Sequence, residues 1–166
     1  MSKFVYADKA ATTPVSREVI DAMSVCFETA WGNPSSQHGK GYEAKALIDD
    51  ARARIARVFR CNPNELYFTS SGTEADNWAI KGAAMRMKKK GRTHIVTSKI
   101  EHPAVLKTCK ALEKQGFTVT YLGVDSEGVV DIEEARAAVT DKTAIVAVMY
   151  ANNEIGTIQP IAELCD

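Results

Sequence analysis

Apolar residues fall at helical spacing in some stretches of the chain and in short unbroken runs in others, and from about residue 66 onward the two patterns alternate. Val19, Ile20, Met23, Cys26 and Phe27 share one face of a helix that Ser16 can cap, which predicts Cys26 as core rather than as a reactive thiol. Ala44, Leu47, Ile48, Ala51, Ile55, Val58 and Phe59 trace a second helix from about Tyr42 to Phe59, ended by Asn62-Pro63. The run Leu66-Tyr67-Phe68 reads as a strand, followed by a tight turn and a helix from Thr73 through Trp78, Ile80, Met85 and Met87 to Lys88-Lys89-Lys90-Gly91. Those lysines suit a helix carboxyl end rather than a nucleic-acid patch. Thr93 to Thr97 predicts a strand, and Glu101-His102-Pro103 opens a helix whose Val105, Leu106, Cys109 and Leu112 lie together. Thr118 to Leu122 is a further strand. Asp131 with Glu134 forms a capping box for a helix through Val139, and Thr143 to Met149 is a continuous apolar strand of the kind buried on both faces of a parallel sheet.

Strands alternating with helices predict an α/β protein with a mostly parallel sheet and helices on both faces. In such sheets ligands lie beyond the carboxyl ends of the strands. Three of those ends carry chemistry: Ser70-Ser71-Gly72-Thr73, Glu101-His102 and Asn152-Asn153-Glu154. The first has the make-up of an anion cradle, because unpaired N–H groups and the helix dipole at a helix start favour a phosphate without any basic side chain. The competing reading is an ordinary capping box, with Ser71 at the cap and Glu74 three residues on. A cradle, an imidazole and amides or acids in one crevice suit a phosphorylated cofactor with a polar ring. Trp31 to Gly39 is a turn-rich loop, read equally as a surface loop or as one shaped to meet a ligand.

Composition narrows the partners. Lys plus Arg and Asp plus Glu are 21 each among 166 residues, so no global field favours nucleic acid or an anionic membrane. No apolar run approaches the ~20 residues that span a bilayer, and the N-terminus has no signal-peptide pattern, which leads us to expect a cytoplasmic protein. The cysteines Cys26, Cys61, Cys109 and Cys165 form no CxxC pair, so neither a metal site nor a disulfide framework is expected.

Five ordered motifs carry a resemblance. Asp8-Lys9-Ala10-Ala11-Thr12-Thr13-Pro14, Gly32-Asn33-Pro34-Ser35-Ser36, Phe68-Thr69-Ser70-Ser71-Gly72-Thr73-Glu74-Ala75-Asp76-Asn77, Ser98 to Leu106, and Ala151-Asn152-Asn153-Glu154-Ile155-Gly156 on to Pro160 closely resemble the cysteine desulfurases of the NifS and IscS type. These are class V aminotransferase-family members among the fold type I pyridoxal phosphate enzymes. The resemblance runs from about Val5 to the last residue. It implies a three-layer α/β fold, with residues 16–166 as the N-terminal part of the large, cofactor-binding domain and residues 1–15 packing near a small domain.

The resemblance also implies roles. Gly72 and Thr73 would hold the phosphate of pyridoxal 5'-phosphate. His102 would stack on its ring and help move protons, and Asn153 would reach the ring hydroxyl and the substrate carboxylate. The reaction implied converts L-cysteine to L-alanine, passing sulfur as an enzyme persulfide to iron–sulfur cluster assembly. A homodimer and a scaffold or other sulfur-acceptor protein are the implied partners. In such enzymes the Schiff-base lysine and the sulfur-accepting cysteine lie further along than Asp166, so this chain is expected to be an N-terminal fragment, inactive alone. Ser36-Gln37-His38-Gly39-Lys40 looks like the lysine motif but has an extra glycine and sits too early. Lys9 stands where many relatives have asparagine, and Ser71 where they usually have glycine. The alternatives are a non-catalytic α/β module that keeps a phosphate or cofactor pocket, or another class V enzyme such as a selenocysteine lyase, a kynureninase-like enzyme or an aminotransferase.

Overall fold

The computed structural model describes residues 4–165, which form two compact units, one up to Phe68 and one from Thr69. The first unit is helical. Helix α1 (Arg17–Thr29) starts at Ser16, whose Oγ accepts from the Val19 N–H at 3.5 Å. Helix α2 (Gly39–Phe59) is capped by the His38 ring, and Arg60 ends it in the left-handed conformation at φ 53°. A single 3-10 turn, Pro63–Glu65, follows, closed by a capping box between Asn62 and Glu65.

Two expectations fail in this unit, for one reason. Cys26 is exposed rather than core, together with Val19, Ile20, Met23 and Phe27 of the same stripe. The helical spacing was legible, but no described residue covers the face it marks. Leu66 to Phe68 is extended without being a strand. A strand exists by pairing, and here the Leu66 carbonyl accepts from Arg52 Nε at 3.3 Å, while the Arg52 guanidinium lies over the Phe68 ring, 4.9 Å from its centre.

The second unit is the α/β layer. Helix α3 (Gly72–Lys88) precedes strand β1 (His94–Ser98), helix α4 (Pro103–Glu113), strand β2 (Thr118–Leu122), helix α5 (Ile132–Ala138), strand β3 (Thr143–Ala147) and the short helix α6 (Ile161–Cys165). The strands are all parallel in the order β2-β1-β3, with Val96 opposite Thr120 on one side and Val146 on the other. Because side chains alternate across a strand, β1 feeds two cores. Ile95 packs with Ile80 and Ala84 of α3, Val105, Cys109 and Leu112 of α4, and Phe117. Val96 packs with Leu122, Val130 and Ala135 of α5, and Leu164 of α6 joins them half-buried. Helices therefore cover both faces, as the alternation predicted.

Two local differences are informative. Strand β3 stops at Ala147, short of Met149, because the Met149 N–H leaves the ladder to bond the Glu101 carboxylate at 2.9 Å. The Asp131 box closes by half: Asp131 Oδ1 accepts from the Glu133 and Glu134 N–H groups, but the Glu134 carboxylate instead takes the Gly123 N–H.

Candidate active site at the carboxyl end of the sheet

The turn into α3 combines both readings of its sequence. Ser71 Oγ accepts from the Glu74 N–H at 3.2 Å, as a cap should, but the Glu74 carboxylate reaches one residue further back and takes both the N–H and the hydroxyl of Ser70, each at 2.7 Å. Those bonds, the Ser70 hydroxyl first and its N–H second, hold the Glu74 carboxyl below its ordinary range. With Glu74 committed to Ser70 the Ser71 N–H finds no partner among the described residues, nor do the N–H groups of Gly72 and Thr73, which open the helix, or the Thr73 hydroxyl. They sit at the positive end of a helix of 17 residues. Ser71 has φ −165°, extended backbone that serine adopts without strain. A Cβ at Gly72 would meet no atom within 4 Å, so the protein leaves that side of the turn open. These donors fit a phosphate.

Asp76 lies one turn beyond Gly72 and Thr73 and lines a cleft of about 350 Å³ with Glu101, His102, Val105 and Met149. His102 is the N-cap of α4, followed by Pro103 at the first helical position, where a missing N–H costs nothing. Its Nδ1 accepts from the Ala104 N–H at 3.1 Å, which places the proton of the neutral ring on Nε2. The ring is otherwise exposed. The α3 turn is tied to α4 by a short relay: Asn77 Nδ2 donates to the Thr73 carbonyl at 2.9 Å, and Asn77 Oδ1 accepts from the buried Thr108 hydroxyl at 2.8 Å.

Strand β3 leads to the loop that carries Asn152 and Asn153, and the two amides have separate fates. Asn152 is buried, donating to the Ile100 carbonyl at 2.9 Å and accepting from the Glu154 and Ile155 N–H groups at 2.8 and 3.1 Å. Asn153 is exposed, and its Nδ2 donates to the neighbouring Glu154 carboxylate at 3.2 Å, which leaves its amide oxygen without a partner among the described residues. Glu101, adjacent to His102, is buried too and accepts from the Ser98 hydroxyl at 2.7 Å as well as from Met149. Burial pushes its carboxyl above the ordinary range and the nearby Asp76 charge adds to this, against the lowering effect of both hydrogen bonds.

Of the predicted site residues, the structure joins His102 and Asn153 through the bonds of their neighbours Glu101 and Asn152, and Thr73 to α4 through Asn77. The Asn77–Thr108 relay went unread in the sequence; its one signal is an amide four residues after Thr73 on a helix. Among the cysteines, Cys109 is buried and its thiol is pushed up to about 11, foremost by desolvation, so it is not a thiolate near neutrality. Cys26 and Cys165 are exposed and Cys61 is half-buried. Among the described residues, no group of histidine, cysteine and acidic side chains could hold a metal ion, and no helix is long and apolar enough to cross a membrane.

In the first unit, the loop from Trp31 folds back tightly on the start of α2. A Cβ at Gly32 would lie 2.2 Å from the Lys40 carbonyl oxygen, and one at Gly41 would lie 2.2 Å from that of Ser36. Only glycine fits either place. His38 Nδ1 faces the Gly41 N–H at 3.4 Å, and Lys40 pairs with Glu43 at 2.7 Å, so both serve the helix start here.

A parallel α/β layer with unpaired helix-start donors and an imidazole-bearing cleft is the frame in which the comparisons place this chain in a family. The aminotransferase class-V family model matches residues 5–166, and the chain belongs to that family. It is 51% identical over 164 residues to the cysteine desulfurase IscS of Clostridium botulinum, covering 99% of this chain and 41% of that protein. Among solved structures, it resembles a NifS-like protein with a TM-score of 0.91 at 44% identity, covering 94% of this chain and 43% of the other. It also resembles SspA in complex with cysteine, with a TM-score of 0.88 at 37% identity, covering 93% and 44%. The chain thus spans about two fifths of the length of the curated relatives it matches.

Proposed function

We propose that this chain is the cofactor-anchoring part of a pyridoxal phosphate-dependent cysteine desulfurase. The observation that carries the proposal is the α3 start, where three N–H groups and the Thr73 hydroxyl have no partner among the described residues, the Ser71 N–H because Glu74 turns back to Ser70. Gly72 and Thr73 would hold the phosphate. His102, kept as the Nε2–H tautomer by Ala104, would lie against the ring and hold or move a proton at Nε2. Asn153, with its amide unburied, would orient the ring hydroxyl and the substrate carboxylate. When bound, pyridoxal phosphate supplies the electron sink that lets charge develop beside the amino acid's α-carbon.

In this reading the substrate is L-cysteine. Its carbon–sulfur bond breaks, alanine leaves, and the sulfur passes to a cysteine thiol as a persulfide destined for iron–sulfur cluster assembly by a scaffold or acceptor protein. The lysine that bonds the cofactor and the cysteine that takes the sulfur belong to the portion of the relatives that this chain does not span. Residues 1–15 would pack near a small domain, residues 16–166 would open the large one, and the whole would act as a cytoplasmic homodimer. The cysteine desulfurase relatives and the cysteine complex of one structural neighbour support the substrate class.

The test, made in the longer enzyme of which this chain would be part, separates the two roles. Thr73→Val removes one hydroxyl donor to a doubly charged group while leaving the backbone donors, and a hydrogen bond to a charged partner contributes about 1.5–3 kcal/mol. Cofactor affinity should fall roughly ten- to a hundredfold. His102→Ala should instead slow sulfide release by about 10²–10⁴, with less effect on cofactor retention. If Thr73→Val holds cofactor as the parent does, while His102→Ala loses cofactor yet keeps its rate once resaturated, the assignments are reversed.

A further inference from the structure

We propose that Glu101 and Asn152 are paired positioning residues that bolt the His102 turn to the Asn153 loop, so that imidazole and amide are placed as one unit. The two bonds join the same two segments, a side chain of each reaching the backbone of the other, and both are donated from the β3 side. The Glu101 carboxylate, on the turn after β1, accepts the Met149 N–H from the end of β3 at 2.9 Å. The Asn152 amide, on the loop after β3, donates to the Ile100 carbonyl of the turn after β1 at 2.9 Å. Each bolt is anchored at its own base, Glu101 by the Ser98 hydroxyl at 2.7 Å and Asn152 by the Glu154 and Ile155 N–H groups at 2.8 and 3.1 Å. Both side chains are buried, 6% and 8% exposed, whereas their neighbours His102 and Asn153 are exposed. Buried polar groups with every partner satisfied hold one geometry, because any alternative leaves a donor or acceptor stranded.

The arrangement alternates a buried structural residue with an exposed working one, Glu101 with His102 and Asn152 with Asn153. A slip at either crosslink moves the working residues apart. Placement within about half an ångström is what such a site needs. The proposal rests on the functional reading only for what the two residues are positioned toward; the crosslink itself is independent of any cofactor.

The experiment follows amide hydrogen exchange and the ring-nitrogen resonances of His102 in the protein without added cofactor, comparing the parent with Asn152→Ala, Glu101→Ala and Glu101→Gln. Exchange at Ile95 and Val96, in the centre of the sheet, serves as the control for global unfolding. Asn152→Ala should speed exchange of the Met149 N–H, which is bonded to Glu101 while the Asn152 amide meets only the Met149 sulfur at 3.4 Å, by about tenfold or more relative to that control, and should shift the His102 ring signals. Glu101→Ala should do the same at Glu154 and Ile155. Glu101→Gln keeps one side-chain oxygen, in the place of the Oε1 that accepts from both the Met149 N–H and the Ser98 hydroxyl, so it should restore both readouts toward the parent. Exchange faster only at the atoms each side chain touches, or a His102 signal unmoved in Asn152→Ala and Glu101→Ala alike, overturns the proposal. If a variant unfolds, Ile95 and Val96 report it, and the glutamine variant then decides: parent-like signals support the pairing, and displaced ones overturn it. A longer enzyme carrying this chain that fails to take up pyridoxal phosphate would count against the functional reading alone.

Discussion

The relay from Thr73 through Asn77 to Thr108 makes a quantitative prediction. Thr108 is 2% exposed and gives its hydroxyl to Asn77 Oδ1 at 2.8 Å, so Asn77→Ala strands a buried donor as well as removing a hydrogen bond to the Thr73 carbonyl. Leaving such a group unsatisfied costs about 1–3 kcal/mol, and we expect about 2 kcal/mol of lost stability. Thr108→Val removes the hydroxyl together with its need for a partner, and half-buried Asn77 can turn its oxygen to water, so about 1 kcal/mol should go. In the double variant nothing buried is stranded, and the loss should stay near ~2 kcal/mol rather than reach the ~3 kcal/mol sum. Urea denaturation with a common slope measures all three. Additivity within about 0.3–0.5 kcal/mol would refute the idea that one polar link ties the α3 turn to α4.

Two further predictions follow from groups whose titration is moved. Burial, with the Asp76 charge adding to it, holds the Glu101 carboxyl above its ordinary range, so the folded protein binds this proton more tightly than the unfolded chain does. Its contribution is fully present below the unfolded value and is lost as pH rises through the raised folded one; Glu101→Gln should flatten that stretch of urea midpoints between about pH 4 and about pH 7, and a parent that gains on the variant as pH rises would refute it. Cys109, buried and pushed up to about 11, should resist alkylation at neutral pH in the folded protein while exposed Cys26 reacts. Peptide mapping that shows both labelled at similar rates would refute its assignment as inert core.

The second unit was legible in the sequence because its apolar residues meet one another within it. Thr118–Leu122 emerged with the boundaries read from the sequence, and Ile95, Val105, Cys109 and Leu112 lie in one core. The stripes on α1 and α2 were equally legible as helices, yet Met23, Leu47 and Val58 remain exposed, since periodicity names the apolar face and says nothing of what covers it. Leu66–Phe68 failed for the same reason in another form, having strand-like residues and no ladder. At the site, strand-end position singled out Glu101 and Asn152 beside His102 and Asn153, but which member of each pair turns inward is decided by tertiary hydrogen bonds. No local pattern separates two adjacent asparagines.

The strand order has a consequence for how the molecule comes into being. Among the described strands, β1 is the first to leave the ribosome and also the middle one, with β2 and β3 added later on opposite sides. Each newly made strand can therefore dock on an edge that already exists, without inserting between strands already joined. Loop closure for each docking spans only a crossover helix or two, so its entropic cost stays modest. The strand that delivers His102 is in this way the template on which the rest of the sheet is laid, and the imidazole's anchor is among the earliest parts of the site to be made.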